Sequence, residues 1–348
     1  MSNRIYYANQ QVGFKKNKTD TWQIAHGVQS VGIATTFTLE QAFELGQLAI
    51  YQNIEGIPEI ECTITKVLDG YPLLYRLATN GAADDNIVNR ANTKCFVGVG
   101  IWPDSVLSAG QGNAGPTTQV EMTGMAITNV SYDLSTEGNF TESITLVGDD
   151  KGWNTSLDPQ CSNLGWTIDE FAGEDELPFR GNDDAPTGTL ADGTGIQRRE
   201  NFNLTTSILP DEVQNQYIQS ISVSIDLGRE SLFKLGSRKP YARVVNFPAE
   251  VSCDIEVLSV SGDQVNALSQ GCLIPTIDAC PGMNNNTEDR QIVIETCDST
   301  KIDIGSKCRL SAVNYGGGDA GGGNASVTYS YTTYNEFTVT HPDKEPDA

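Results

Sequence analysis

The chain has 348 residues, and 45 acids against 22 Lys and Arg leave a formal net charge of −23. That length suggests two or three domains, each long enough to bury its own core. The acids outnumber the bases in every segment: 16 to 9 over 1–155, 10 to 3 over 156–200 and 19 to 10 over 201–348. No Lys/Arg cluster makes the basic face that displaces counterions from phosphates, so stable nucleic-acid binding is excluded. An acidic protein can still meet DNA usefully if its task is to avoid holding it.

No apolar run approaches the roughly twenty residues of a bilayer span. The start, Met1-Ser-Asn-Arg-Ile-Tyr-Tyr, lacks the apolar core of a secretory signal. The expectation is a protein made and kept in the cytosol, or one that leaves by a route that reads no signal. Gly, Ser, Thr and Asn are abundant and Val/Ile/Thr/Tyr runs are short, the balance of an all-β chain with many turns and little helix.

Taken in order, residues 1–27 read as an entry arm or edge hairpin with short segments at 4–7 and 12–16. A half-buried strand is predicted over 28–37, then a short helix or turn over 38–45 that Gly46 ends, then a loop through Pro58. The alternation of Ile60, Cys62 and Ile64 with Glu59, Glu61 and Thr63 predicts a strand over 59–68. About twenty residues separate these two strands, more than an idle connection uses. A short helix over 72–78, a strand over 94–101, a Gly/Pro surface loop over 110–116 and two long strands over 118–133 and 139–149 complete the first unit.

Residues 155–200 change in character. Asp169-Glu-Phe-Ala-Gly-Glu-Asp-Glu176, Asp183-Asp184 and several Gly and Pro residues make an acidic connector. Calcium is an alternative there, but the EF-hand spacing is absent, and a solvated linker is the preferred reading.

The pattern of 28–67 is then written a second time. Gln29-Ser30-Val31 returns as Gln219-Ser220-Ile221, and Glu40, Phe43, Leu45, Gly46 and Tyr51 return as Glu230, Phe233, Leu235, Gly236 and Tyr241. After a one-residue slip, Glu59 to Ile64 returns as Glu250 to Ile255. This is an internal duplication. It sets the domains at 1–155 and 201–348, with 156–200 as the connector. The second unit continues with strands over 291–296, 307–315 and 325–340, the last pair echoing the 118–149 hairpin.

Loop 38–58 carries Glu40, Glu44 and Glu55 and no base, whereas loop 228–248 carries Arg229, Lys234, Arg238, Lys239 and Arg243. Opposite signs on equivalent loops suggest that the two meet, between subunits or between stacked layers.

Chemistry finds little support. Eight cysteines lack any C-x-x-C pair and only two histidines exist, so zinc is not expected; Cys62 and Cys253 read as buried thiols. The Gly-rich 316–324 segment has no G-K-[ST] and reads as a hairpin tip rather than a phosphate loop. A Ser/His/Asp triad would have to use His26, without a G-x-S-x-G elbow. Glu59 and Glu61 share a strand face, which suits a solvated surface better than a glycosidase pair. No enzyme activity and no cofactor are expected.

Most of both repeats resembles the phage tail tube proteins, in particular those with two tube domains in one chain. The resemblance lies in Gln219-Ser-Ile-Ser-Val-Ser-Ile-Asp-Leu-Gly-Arg-Glu-Ser-Leu-Phe-Lys-Leu-Gly236, in Phe247-Pro-Ala-Glu-Val-Ser-Cys-Asp-Ile-Glu256, and in the first-half text from His26-Gly-Val-Gln-Ser to Leu68-Asp-Gly-Tyr-Pro-Leu-Leu. It does not cover 155–200. It implies a mainly β chain of two tandem β-barrel or sandwich domains, each with a short helix. It also implies copies associating into rings whose inner strands form one continuous barrel. Glu59, Glu61, Asp254 and Glu256 would then face the lumen. Glu40, Phe43, Glu44, Tyr51 and Glu55, with Arg229, Phe233, Lys234, Arg238, Lys239, Tyr241 and Arg243, would make ring-to-ring or subunit contacts.

The partners implied are further copies of the chain, as a trimer giving pseudo-sixfold rings or as a hexamer, stacked into a tube. Other tail proteins follow: tape measure, terminator, hub and, in a contractile tail, sheath. DNA is only non-adhering cargo, and the place is the virion tail, assembled in the host cytoplasm. The rival readings are a hub or tube-initiator of the same fold, and a capsid decoration or carbohydrate-binding β module.

Overall fold

Antiparallel strand pairing accounts for nearly all the regular backbone in the computed structural model, and the chain is mainly β. The residues described are 5, 7–46, 48–80, 82, 85–102, 116–148, 150–155, 195–204, 209, 217–237, 240–260, 262–263, 265, 289–318 and 323–341. Most of the acidic connector and its calcium alternative, most of the 110–116 loop, and Arg238 and Lys239 lie outside them.

In the first unit the strands are β1 (Gln10–Lys15), β2 (Gln23–Ile24), β3 (Val28–Thr36), β4 (Leu39–Phe43), β5 (Ile50–Glu55), β6 (Glu59–Val67), β7 (Cys95–Ile101), β8 (Thr118–Ser135), β9 (Thr141–Gly148) and β10 (Asp150–Thr155). Two short helices, α1 (Leu74–Ala78) and α2 (Ile87–Arg90), precede β7. The second unit contributes β11 (Phe202–Leu204), β12 (Ile218–Asp226), β13 (Arg229–Leu232), β14 (Ala242–Val245), β15 (Glu250–Leu258), β16 (Arg290–Thr296), β17 (Lys301–Gly316), β18 (Ser326–Tyr334) and β19 (Thr338–Thr340). Its described residues hold one 3-10 turn, Arg199–Asn201, and no α-helix.

The helix or turn expected over 38–45 is instead strand β4, paired with β5. A helix of so few residues whose apolar side chains, Leu39, Phe43 and Leu45, stay exposed does not repay its nucleation, whereas a hairpin satisfies the same backbone groups across the pair. Gly46 ends it by taking the left-handed turn, at φ 94°, and Gly236 does the same at φ 82° beyond β13. The expected loop over 228–248 is likewise a hairpin, β13–β14.

The duplication extends to hydrogen-bond register. Strand β3 pairs with β6 as β12 pairs with β15, and both pairs carry a bulge at the same place, between Val28 and Ser30 and between Ile218 and Ser220. Gln29 Nε2 donates to Gly27 O and Gln219 Nε2 donates to Tyr217 O, both at 3.2 Å. Strand β8 pairs with β9 as β17 pairs with β18, again with matching bulges, between Ile127 and Asn129 and between Leu310 and Ala312. Here Thr128 Oγ1 donates to Thr145 O at 3.0 Å, and Ser311 Oγ donates to Ser330 O at 2.9 Å. Bulges fix where a strand bends, so their repetition marks one architecture used twice.

Strands β8 and β17 are long because each serves two sheets. The first half of β8 pairs with β7 and β10, its second half with β9. The core lies on one face of β6 and β15, whose Ile60, Cys62, Ile64, Val251, Cys253 and Ile255 are buried. The Cys62 and Cys253 thiols are free and buried, and desolvation raises both, Cys62 to about 12.

Helix α1 is held by a buried polar group. Glu142 accepts the N–H groups of Leu74 at 2.6 Å and Tyr75 at 3.0 Å, and the hydroxyl of Tyr132 at 2.9 Å. Its cross-strand neighbour Lys66, also buried, donates to Tyr71 O and Pro72 O and pairs with Asp69 at 3.1 Å. Register puts Val327 and Val257 at the places of Glu142 and Lys66 in the second unit.

Candidate assembly interface and acidic face

The two units join edge to edge. The second half of β8 pairs antiparallel with β12, from Ser135 opposite Ser220 to Asn129 opposite Asp226. Thr136 N donates to Gln219 O and Leu227 N to Thr128 O, at 2.9 and 2.8 Å, closing the two ends of the seam. One antiparallel run, β3-β6-β9-β8-β12-β15-β18-β17, therefore crosses from one unit to the other.

Among the described residues, this run ends in two open borders, β3 and the 309–316 segment of β17. They are the counterparts of β12 and of the second half of β8. Burial follows pairing. Ile221 and Val223 are buried, while their counterparts Val31 and Ile33 are half-buried. Tyr132 is fully buried and Tyr315, at the same place in β17, is 54% exposed. The same residue position is covered where a neighbour strand exists and bare where none does.

The face of this run away from the core is acidic and hydroxyl-rich. Glu59 and Glu61 on β6, and Glu250, Asp254 and Glu256 on β15, alternate with the buried residues. Asp133 and Asp254 both stand opposite Ser222, and Asp226 stands opposite Glu250. Like charges directly across a strand pair are unfavourable by a few tenths of a kcal/mol to about 1 kcal/mol. The rest of this face is largely Ser, Thr and Asn, with pairs such as Ser224–Ser252 at 2.7 Å and Thr65–Ser143 at 3.1 Å. Glu59, Glu61 and Asp254 are exposed, and Glu256 is half-buried and accepts from Ser220 Oγ at 3.3 Å.

The predicted contact residues fall on the two hairpins. Glu40, Phe43, Glu44, Tyr51 and Glu55 lie exposed on or beside β4–β5. The β13–β14 hairpin is different at its base, because it lies on the first unit. Arg229 donates through Nε to Ile127 O at 2.8 Å and through Nη2 to Ala91 O, and Val245 N donates to Asn92 Oδ1 at 3.4 Å. Burial, then the neighbouring Arg243, pushes Arg229 down to about 10. Arg243 is buried and reaches Glu59 at 3.9 Å. Phe233, Lys234 and Tyr241, toward the tip, are exposed. Sequence reasoning missed Tyr132, Tyr315, Ile33 and the bulges, because only pairing identifies which strand borders are shared.

His26, the imidazole a triad would need, stacks on Tyr71 with ring centroids 3.9 Å apart. Among the described residues no group of three His, Cys, Asp or Glu side chains is arranged to hold a metal ion, and no helix is long and apolar enough to cross a membrane.

No protein-family model matches the chain, and no curated protein matches it. Among solved structures, a chain from the sixfold-symmetrised cryo-EM structure of the anti-feeding prophage (AFP) baseplate is similar at 12% identity and a TM-score of 0.33, over 45% of this chain and all of that one.

Proposed function

We propose that this protein is a structural virion protein of a tailed phage, forming the rings of a tail tube through which DNA passes. The observation that carries the reading is the β8–β12 seam, together with two open borders that repeat its two sides. A head-to-tail contact between unlike borders generates a ring when its rotation closes. If the 309–316 segment of one copy pairs with β3 of the next as β8 pairs with β12, both open borders of the run are satisfied.

Carrying the seam's register over sets Ala312 opposite Thr36, Tyr315 opposite Ile33 and Gly316 opposite Gly32. Both units of a chain share one sheet, which favours three chains per ring, with six units around the axis, over two concentric or layered sets. The acidic, hydroxyl-bearing face then lines the bore, with Glu59, Glu61, Asp254 and Glu256 in it. Its charge repels phosphate and lets DNA slide. The domains at 1–155 and 201–348 each supply half of every seam, with 156–200 as connector, and no catalytic role is assigned.

Negative-stain imaging of the purified chain across a concentration series is the test. Filaments of constant bore support the tube. Single rings that never stack point to a hub or initiator, and monomers at every concentration overturn the reading.

A further inference from the structure

The hairpins and the long strands carry crossed charges. The β4–β5 segment, 38–58, has three acids and no base; the β13–β14 segment, 228–248, has five bases and one acid. Strand β8 has two acids and no base, while β17 has three bases and one acid. Within the chain, the basic hairpin lies on the acid-bearing unit: Arg229 on the Ile127 carbonyl of β8, Arg243 against Glu59.

The same place on the second unit is framed by Leu310, Ser311 and Glu250, which register makes the counterparts of Ile127, Thr128 and Glu59. Two residues there differ in charge from the first unit. Arg309 stands where β8 has Ala126, and Lys307 where it has Gly124; both are exposed, Arg309 holding Asp289 at 2.6 Å. The hairpin that would seat there is the acidic one, and it is exposed along its length, with Phe43 64% and Tyr51 65% exposed.

We infer that these crossed charges fasten one copy to the next: the β4–β5 hairpin of each copy docks on the β17 border of its neighbour, beside Lys307 and Arg309. The occupant is a second copy of this chain. On the first unit the basic hairpin meets Glu59, whereas on the β17 border it would meet the like charges of Lys307 and Arg309. Repulsion against wrong partners is how closely related interfaces are kept apart. Among the described residues, the β8–β12 seam leaves only β3 and the 309–316 segment of the run open, and the charges add a preference for the acidic hairpin over the basic one at the β17 border. This inference rests on the ring reading above.

The test uses the full chain in three variants: Glu40→Lys with Glu44→Lys, Lys307→Glu with Arg309→Glu, and all four changes together. Sedimentation velocity across a concentration series reads the midpoint of assembly, and thermal unfolding by circular dichroism checks that each variant is folded. Each pair of reversals is expected to raise the midpoint roughly tenfold or more, and the four together to return it to within about threefold of the unaltered chain. Unchanged midpoints in the paired reversals, or a fourfold variant no better than its parents, overturn the charge code while leaving the ring intact. An unaltered chain that stays monomeric at every concentration overturns both.

Discussion

Tyr132 and Tyr315 occupy one position of the repeat, yet mutation is expected to separate them completely. Tyr132 is buried between β9 and β12, opposite Val223, with its hydroxyl on Glu142. Truncating it to alanine removes a core aromatic and leaves a buried carboxylate without one donor, a loss of about 3–5 kcal/mol of folding stability. Tyr315 is already 54% exposed in the single chain. Ring closure sets Ile33 of the next copy opposite it and covers the remaining half, on the order of 100 Å². At about 25 cal/mol per Å² this is ~2.5 kcal/mol for each seam, or roughly 70-fold in its association constant. Tyr315→Ala is therefore expected to unfold in urea almost as the unaltered chain does when dilute, while its assembly midpoint rises by up to that factor. Urea melts at a concentration below assembly, paired with sedimentation across a concentration series, separate the two effects. The reasoning is refuted if Tyr315→Ala lowers folding stability as much as Tyr132→Ala and leaves assembly untouched.

Three further outcomes are expected. Thr35 is the counterpart of Ile225, whose flanking residue Leu227 donates into the β8 seam, so its N–H points out of the open border. Thr35→Pro removes that donor on an edge where proline is tolerated, so assembly is lost while the melting temperature of the dilute chain changes by only a few degrees. Replacing Glu59, Glu61, Asp254 and Glu256 by Lys gives assemblies that retain DNA in a shift assay, with retention falling as salt rises; the unaltered assembly retains none. For Glu142, burial outweighs Lys66 and the three hydrogen bonds and raises the carboxyl above its ordinary 4.5. A folded-state value above the unfolded one means that the contribution to stability is full below 4.5 and is lost as pH rises through the folded value. Melting temperatures of the unaltered chain should therefore fall from acid toward neutral pH by more than those of Glu142→Gln; equal slopes would show that Glu142 does not titrate in that range.

The repeat was legible where it bears on the core. Alternation at Ile60, Cys62 and Ile64, copied at Val251, Cys253 and Ile255, revealed β6 and β15 to within two residues of their ends. The copied Gln29 and Gln219 turn out to sit at the bulges, which no propensity announces. The equivalence of β8 and β17 was only faintly written. Thr128 and Ser311 keep a hydroxyl and Tyr132 and Tyr315 keep a ring, but Ala126 has become Arg309 and Leu134 has become Gly317, because one border is covered by the chain itself and the other is not. The hairpin at 39–55 departs from the helix or turn expected over 38–45 because Leu39, Phe43 and Leu45 resemble a helical face, and the hairpin at 229–245 departs from an expected loop. Neither their spacing nor their charge reveals that the backbone pairs across Gly46. The acidic residues were legible as a row on one strand. Their joining into one face across both units depends on the β8–β12 pairing, a contact between residues about ninety apart in the sequence that local pattern does not encode.

A strand-resolving cryo-EM reconstruction of the assembled particle addresses the account most directly, because it reads the border between copies residue by residue. The expected image is a closed ring of three chains in which Tyr315 of one copy lies opposite Ile33 of the next, with Glu61 and Asp254 pointing into the bore. A particle in which β3 and the 309–316 segment contact solvent, or in which two β3 strands meet each other about a twofold axis, would contradict it.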